Sequence, residues 1–399
     1  MLRRATGLVA ILCAVVLGTA APATAAPGPG SWSADLDDAE PAGVQVSGGA
    51  ARLDPDTTFT AAAEEADPEA TMPRPTGLLT FPPHRLTAPT DRVAAVLDAE
   101  VPPGAFATVD VRGRRGNGAW TEWVPATRDA GGLAVALPGP TSEVQARLVL
   151  AGDPGAGPAV RGVRLTAHPA TKAARTEDAD QIPLSYRVFA TREGLVGGTT
   201  ANGHVITPRD HFVALPSRRA LAPRDTSDYS VKVCAPTGRC AFAPVWDVGP
   251  WNTRDDYWNP GPTRQQWGDL PQGVPQAQAA HEGGYNGGRD QYNRRVANPA
   301  GIDLGDGMFW DALGLTGNAW VTVDYLWTGG VRLSLVDGVG KILAAPDAAA
   351  EVVGIVAERA AVPVQCVLAT ATGRWLRLGV GQYLTASLVP APGEVPACR

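Results

Sequence analysis

Residues 240–252 read CAFAPVWDVGPWN. Apolar residues alternate up to Asp247, and Gly249-Pro250 stops the run. A similar run, YSVKVC (Tyr229–Cys234), lies just before it, and the two are joined by APTGR, a turn carrying Pro and Gly. The reading is two strands of a hairpin with Cys234 and Cys240 at its neck. Side chains two apart share a strand face, so Val245 and Asp247 point the same way and Asp247 stands at the strand's end. No neighbouring charge offsets it.

A second acid of this kind follows in NPAGIDLGDGMFWDALGL, where Asp303 sits between Ile302 and Leu304 ahead of an expected short helix. Between the two aspartates runs an insertion from Trp251 to Pro299. Long loops of this sort tend to be lids or binding segments. Trp251, Tyr257, Trp258, Trp267, Tyr285 and Tyr292 alternate there with Arg, Asp, Asn and Gln. That mixture suits stacking on sugar rings while hydrogen-bonding hydroxyls, and equally suits a small core of the insertion's own.

The chain ends bound the class of protein. Arg3 and Arg4 precede an apolar run from Leu8 to Leu17 and a small-residue Ala23-Thr24-Ala25, the pattern of a secretory signal peptide over residues 1–26. The run is too short for a membrane span and no later stretch reaches the required length, so an exported chain without a membrane partner is expected. Loss of the leader takes the formal charge from −6 to −8. Without basic clusters, nucleic acid is an unsuitable partner. Four cysteines remain, and an even count in an exported chain favours disulfides. Three connectivities are open; pairing within each proposed domain gives Cys234–Cys240 and Cys366–Cys398. No HExxH, P-loop, GxSxG or GxGxxG stands in a suitable context, so neither metal nor nucleotide cofactor is implied.

With 46 glycines and 36 prolines, short strands between turns are the better reading, and the protein is expected to be mostly β. Residues 27–169 alternate through RVAAVLDAEV, FATVDVRG, VQARLVLAG and VRGVRLTAH, a β-sandwich pattern. Trp120 and Trp123, three apart, are expected on opposite faces of one strand, one in the core and one outside. Residues 170–185 are polar and alanine-rich, a linker. The domain with the candidate chemistry spans 186–328, and Gly329-Gly330 separates it from a last unit at 331–399.

A resemblance joins these pieces. GGTTANGHVI (Gly197–Ile206), FVALPS (Phe212–Ser217), VWDVGPW (Val245–Trp251) and GIDLGDGMFWDALGL (Gly301–Leu315) occur in the order seen in RlpA-like double-psi β-barrels of secreted bacterial cell-wall proteins. The resemblance implies a six-stranded double-psi barrel with a long insertion. The segment 27–169 is similar to β-sandwich modules that precede catalytic domains in secreted bacterial amidases and peptidases. The last unit, through Trp375-Leu376-Arg377-Leu378, Gly381-Gln382-Tyr383 and Pro396-Ala397-Cys398, resembles bacterial SH3-like domains.

What the barrel resemblance implies for function is action on cell-wall polysaccharide, peptidoglycan in particular. Asp247 becomes the candidate acid/base. Asp303 becomes a partner that orients it, binds substrate or only caps the helix. His204, Trp246, Trp251, Trp258 and Trp267 are candidate substrate-binding residues. A lytic transglycosylase can use one carboxyl as acid and then base, because the sugar's own C6 hydroxyl replaces water. Two departures bear on this: His204 stands after the Thr-Ala-Asn-Gly turn where active relatives carry an acid, and Phe212 stands where they carry a histidine, His211 being displaced by one. The alternative is a non-catalytic wall-glycan binder on the same barrel, with Asp247 a buried acceptor of backbone N–H groups.

Overall fold

The computed structural model describes residues 30–60, 73–129, 132–173 and 181–398. The signal peptide expected over 1–26 lies outside the described residues, as does part of the expected linker at 170–185. Strands dominate, and among the described residues there is one α-helix, Gln276–Gly283.

The N-terminal strands form one eleven-stranded sheet folded over a single apolar core. Two long strands carry it, His84–Glu100 and Gly132–Ala151. The second pairs through Leu133–Ala136 with the first, and through Val144–Ala151 with Phe106–Gly113. Register shifts between Ala136 and Thr141 let it bend from one layer to the other, which makes the sandwich. Leu79, Val93, Val109, Leu137, Leu148 and Val160 fill the space between the layers.

Six strands then close a barrel: β1 (Leu184–Glu193), β2 (Val213–Leu215), β3 (Ser230–Cys234), β4 (Cys240–Val248), β5 (Ala300–Gly305) and β6 (Ala319–Tyr325). The order around it is β2-β5-β1-β6-β3-β4, with β2–β4 pairing to close the ring. Two pairs are parallel, β1–β5 and β2–β4. The pairing scheme is unchanged when β1, β2 and β3 are exchanged with β4, β5 and β6. The barrel is therefore two interlocked halves related by a pseudo-twofold axis, which passes between β2 and β5. Val188, Ala190, Val213, Leu215, Ile302, Leu304, Val321 and Val323 point inward and are sealed.

The hairpin read from the sequence is present. Strands β3 and β4 pair antiparallel from Ser230↔Pro244 to Cys234↔Cys240, with a disulfide joining the last pair. A second disulfide links Cys366 and Cys398. The C-terminal strands continue the barrel's own sheet through Phe242↔Val356, and their buried side chains belong to the same apolar cluster as the barrel's. A Cβ on Gly354 would lie 1.6 Å from the Cys240 carbonyl oxygen, so this contact requires glycine. Despite the composition change at Gly329-Gly330, one core runs through both units.

The expectation for Trp120 and Trp123 is corrected: both are buried. The chain there is not a continuous strand, so period-two reasoning does not apply. Both rings pack on the guanidinium of Arg112, at 4.5 and 4.3 Å. Arg112 itself hydrogen-bonds to Gln145, to the Tyr229 hydroxyl and to Asp228 of the barrel unit. Arg147, also buried, donates to Asp110 and to the Arg218 carbonyl. Burial pulls Arg147 down to about 10, which leaves it charged at neutral pH. Sandwich and barrel thus meet over stacked arginines and tryptophans whose polar groups have partners on both sides.

Candidate active site

The barrel register builds a row of residues across four neighbouring strands. Asp247 on β4 is opposite Ala214 on β2, Ala214 is opposite Asp303 on β5, and Asp303 is opposite Thr191 on β1. Val213 and Leu215 on either side of Ala214, and Ile302 and Leu304 on either side of Asp303, belong to the barrel core, so the row itself faces outward. The pseudo-twofold axis exchanges Asp247 with Thr191 and Asp303 with Ala214. Each half therefore offers two positions: the second half fills both with acids, Asp247 and Asp303, and the first half fills them with Thr191 and Ala214. The aspartate backbones are two strand spacings apart, roughly 10 Å, with only the methyl group of Ala214 between them.

Glu193 joins the two aspartates. It lies two residues beyond Thr191 and therefore on the same face. The Glu193 carboxyl hydrogen-bonds to that of Asp247. Asp247 Oδ1 also accepts the backbone N–H of Ala201 and of Val248, each at 2.8 Å. Asp303 Oδ1 accepts the Thr191 hydroxyl. Asp303 Oδ2 is 3.4 Å from where a Cβ on Gly249 would stand, so the Gly-Pro turn closes directly over it.

Electrostatics divide the roles. Glu193 is raised well above the usual glutamate range by burial first, then by the charges of Asp247 and Asp303, and by its hydrogen bond to Asp247. Burial also raises Asp247, but the bond from Glu193 and the two backbone N–H groups oppose that rise. Both carboxyls are raised, and the hydrogen bond between them couples their titrations. Among the described residues, Glu193 Oε2 is buried with no hydrogen-bond partner.

All three acids line one cleft of about 410 Å³. Trp251, Arg294 and Asn298 of the insertion form one wall, Thr199 and Asn318 lie on the barrel side, and Phe59 and Thr60 of the sandwich close the rim. Trp251 has φ +59° and follows the cis Gly249-Pro250 bond. Its indole N–H donates to Asn298 Oδ1 at 3.1 Å.

Of the seven binding and catalytic candidates read from the sequence, Asp247, Asp303 and Trp251 come together here. Asp303 is in strand β5, not at a helix start; the helix begins at Gly307, so helix capping is not its role. His204 does not line the cleft: its Nε2 is 2.7 Å from Asp210 Oδ2 and its ring packs 4.5 Å from Trp246. Trp246 is the extra residue where the pairing with β2 shifts register between Val245 and Asp247, and it stacks on Phe212. Trp258 is fully buried, donates its indole N–H to Glu122 Oε1 at 2.6 Å and stacks on Tyr325; substrate cannot reach it. Trp267 packs edge-on against Tyr285 within the insertion. Tyr257 and Trp258 thus belong to the barrel's own core, while Trp251 packs with the helix residues Ala277 and Ala280.

Glu193 was missed because its relevance comes from parallel strand pairing between distant segments. The available signal was an acid two positions after Thr191, at the end of an alternating strand and before a glycine. Among the described residues no group of three His, Cys, Asp or Glu side chains is arranged to hold a metal ion, and no helix is long and apolar enough to cross a membrane. Residues 184–324, the barrel with its insertion, match a family model described as Domain of unknown function (DUF8814). No curated protein matches the chain.

Proposed function

We propose that the protein is an exported cell-wall glycan-cleaving enzyme of the lytic transglycosylase kind, with Glu193 as its acid/base. The observation that carries this reading is the Glu193 carboxyl, raised well above the usual glutamate range and hydrogen-bonded to Asp247 where both line the cleft. A carboxylic acid kept protonated at neutral pH is what protonation of a glycosidic oxygen needs. Two hydrogen-bonded carboxyls are too close to straddle a scissile bond as the separated pair of a hydrolase does, at about 5 Å or more. The pair therefore acts as one acid with a support. In the step, the Glu193 proton goes to the leaving oxygen as the C1–O bond breaks. Asp303 stabilises the developing positive charge on the ring, and the C6 hydroxyl of the same sugar attacks C1, returning its proton to Glu193. Trp251 offers a face for a sugar ring on the cleft wall. Asp247, expected from the sequence to be the acid, serves in this reading as the charge that keeps Glu193 protonated.

The assay is incubation of the mature protein with purified peptidoglycan, and with glycan stripped of its stem peptides, followed by mass spectrometry for anhydro-sugar ends. Products lost in Glu193→Gln and in Asp247→Asn are expected. A second reading, a silent barrel that only binds wall glycan, draws on the two backbone N–H bonds that lock Asp247 in place. Absence of products together with co-sedimentation with the wall would select it.

A further inference from the structure

The sandwich meets the barrel at a small apolar cluster: Ala42, Phe59, Leu78 and Val149 from the sandwich, Ala201, Leu221 and Val248 from the barrel. Two of these barrel residues, Ala201 and Val248, are the ones whose N–H groups hold Asp247 Oδ1. The Thr200–Gly203 turn that carries Ala201 is also pressed on from the same side. A Cβ on Gly203, at φ +90°, would meet the Ala42 Cβ at 3.1 Å. Inside the turn, Asn202 is buried; its Oδ1 accepts the Thr200 hydroxyl at 2.7 Å and its Nδ2 donates to the Ala222 carbonyl. Glu40 of the sandwich pairs with Arg224 at 3.0 Å beside it.

We infer that the sandwich is a positioning element of the carboxylate site: its apolar face sets where the Ala201 and Val248 amides stand, and those amides fix Asp247. Leu78 is the residue to test, because its strand Thr76–Thr80 presents neighbouring leucines to different places. Leu78 packs on the barrel cluster, whereas Leu79 packs in the sandwich's own core, and both are buried. Truncating either opens a cavity, and only the Leu78 cavity lies behind the amides. Other charged groups around the pair are Asp303, Arg192, which is tied to Asp306, and Arg294, which is tied to Asp290; the charged groups that share a pocket with Leu78 are Glu40, Arg147 and Arg224.

The experiment is a pH titration of the Glu193 and Asp247 carboxyl carbons by 13C NMR in the mature protein, assigned with Glu193→Gln and Asp247→Asn. Weakened amide bonds disfavour the anion, so Leu78→Ala should raise the protonation midpoint of the pair several-fold in proton affinity. Leu79→Ala should lower thermal stability and leave that midpoint in place. Leu78→Met should restore the wild-type midpoint, and Leu78→Val supplies a milder cavity if Leu78→Ala does not fold. An unmoved midpoint in the Leu78 variants, or an equal shift in Leu79→Ala, overturns the inference. The site is the one used in the proposed function, but no substrate enters the measurement, so a failed glycan assay and a failed titration are separate results.

Discussion

Asp247 has two separable duties, and two substitutions at it separate them. Its Oδ1 satisfies the N–H groups of Ala201 and Val248, and its charge faces Glu193. Asp247→Asn keeps a carbonyl oxygen where Oδ1 stands, so both N–H groups retain an acceptor while the charge is lost. Asp247→Ala removes the acceptor as well. Leaving a buried donor unsatisfied costs about 1–3 kcal/mol, so two donors make Asp247→Ala about 2–6 kcal/mol less stable than Asp247→Asn. That difference is a large part of a typical unfolding free energy of about 5–15 kcal/mol. Urea unfolding followed by tryptophan fluorescence measures it. In the glycan assay of the proposed function both variants should lose activity by the roughly 10²–10⁴-fold typical of disabling general acid/base catalysis, because both remove the Asp247 charge that raises the proton affinity of Glu193. Equal stability of the two variants, to within about 0.5 kcal/mol, would refute the anchoring argument.

Other expectations follow from the same geometry. Glu193 has a raised pKa in the fold, so the stability it contributes is complete below the usual glutamate range and drains away as pH rises through its raised value. Unfolding free energy measured across pH should therefore decline on the alkaline side, and Glu193→Gln should flatten that decline. Glu122 accepts both the Trp258 and Trp327 indole N–H groups and pairs with Arg219. Glu122→Ala should cost about 3 kcal/mol or more in a urea melt, as expected for a broken buried network, with cleft titrations unchanged. The disulfides close loops of separation 6 and 32. Loop-closure entropy assigns about 2 kcal/mol to Cys234–Cys240 and about 4 kcal/mol to Cys366–Cys398, testable by paired Cys→Ala variants.

What the sequence determined by itself is what depends on neighbours in the chain. Alternation and the Gly-Pro stop placed Asp247 at a strand's end, and the short APTGR turn made the hairpin and its disulfide legible. Spacing of strands and turns gave the β-sandwich, and the order of the turn motifs gave the barrel. Local reading failed at Trp120 and Trp123, where a loop replaces the expected strand and arginine stacking buries both rings. It could not sort the insertion's aromatics, because Trp251 and Trp258 have similar local surroundings, and only the packed fold puts one on the cleft wall and the other under Tyr325. The tertiary structure alone decided the site. Parallel pairing of β4 with β2 and of β1 with β5 sets Glu193, Asp247 and Asp303 side by side from three distant segments. Burial then raises the proton affinities of Glu193 and Asp247, and the sandwich surface braces the amides that hold Asp247. Those effects arise from long-range register and from desolvation, and neither is written in any local window of residues.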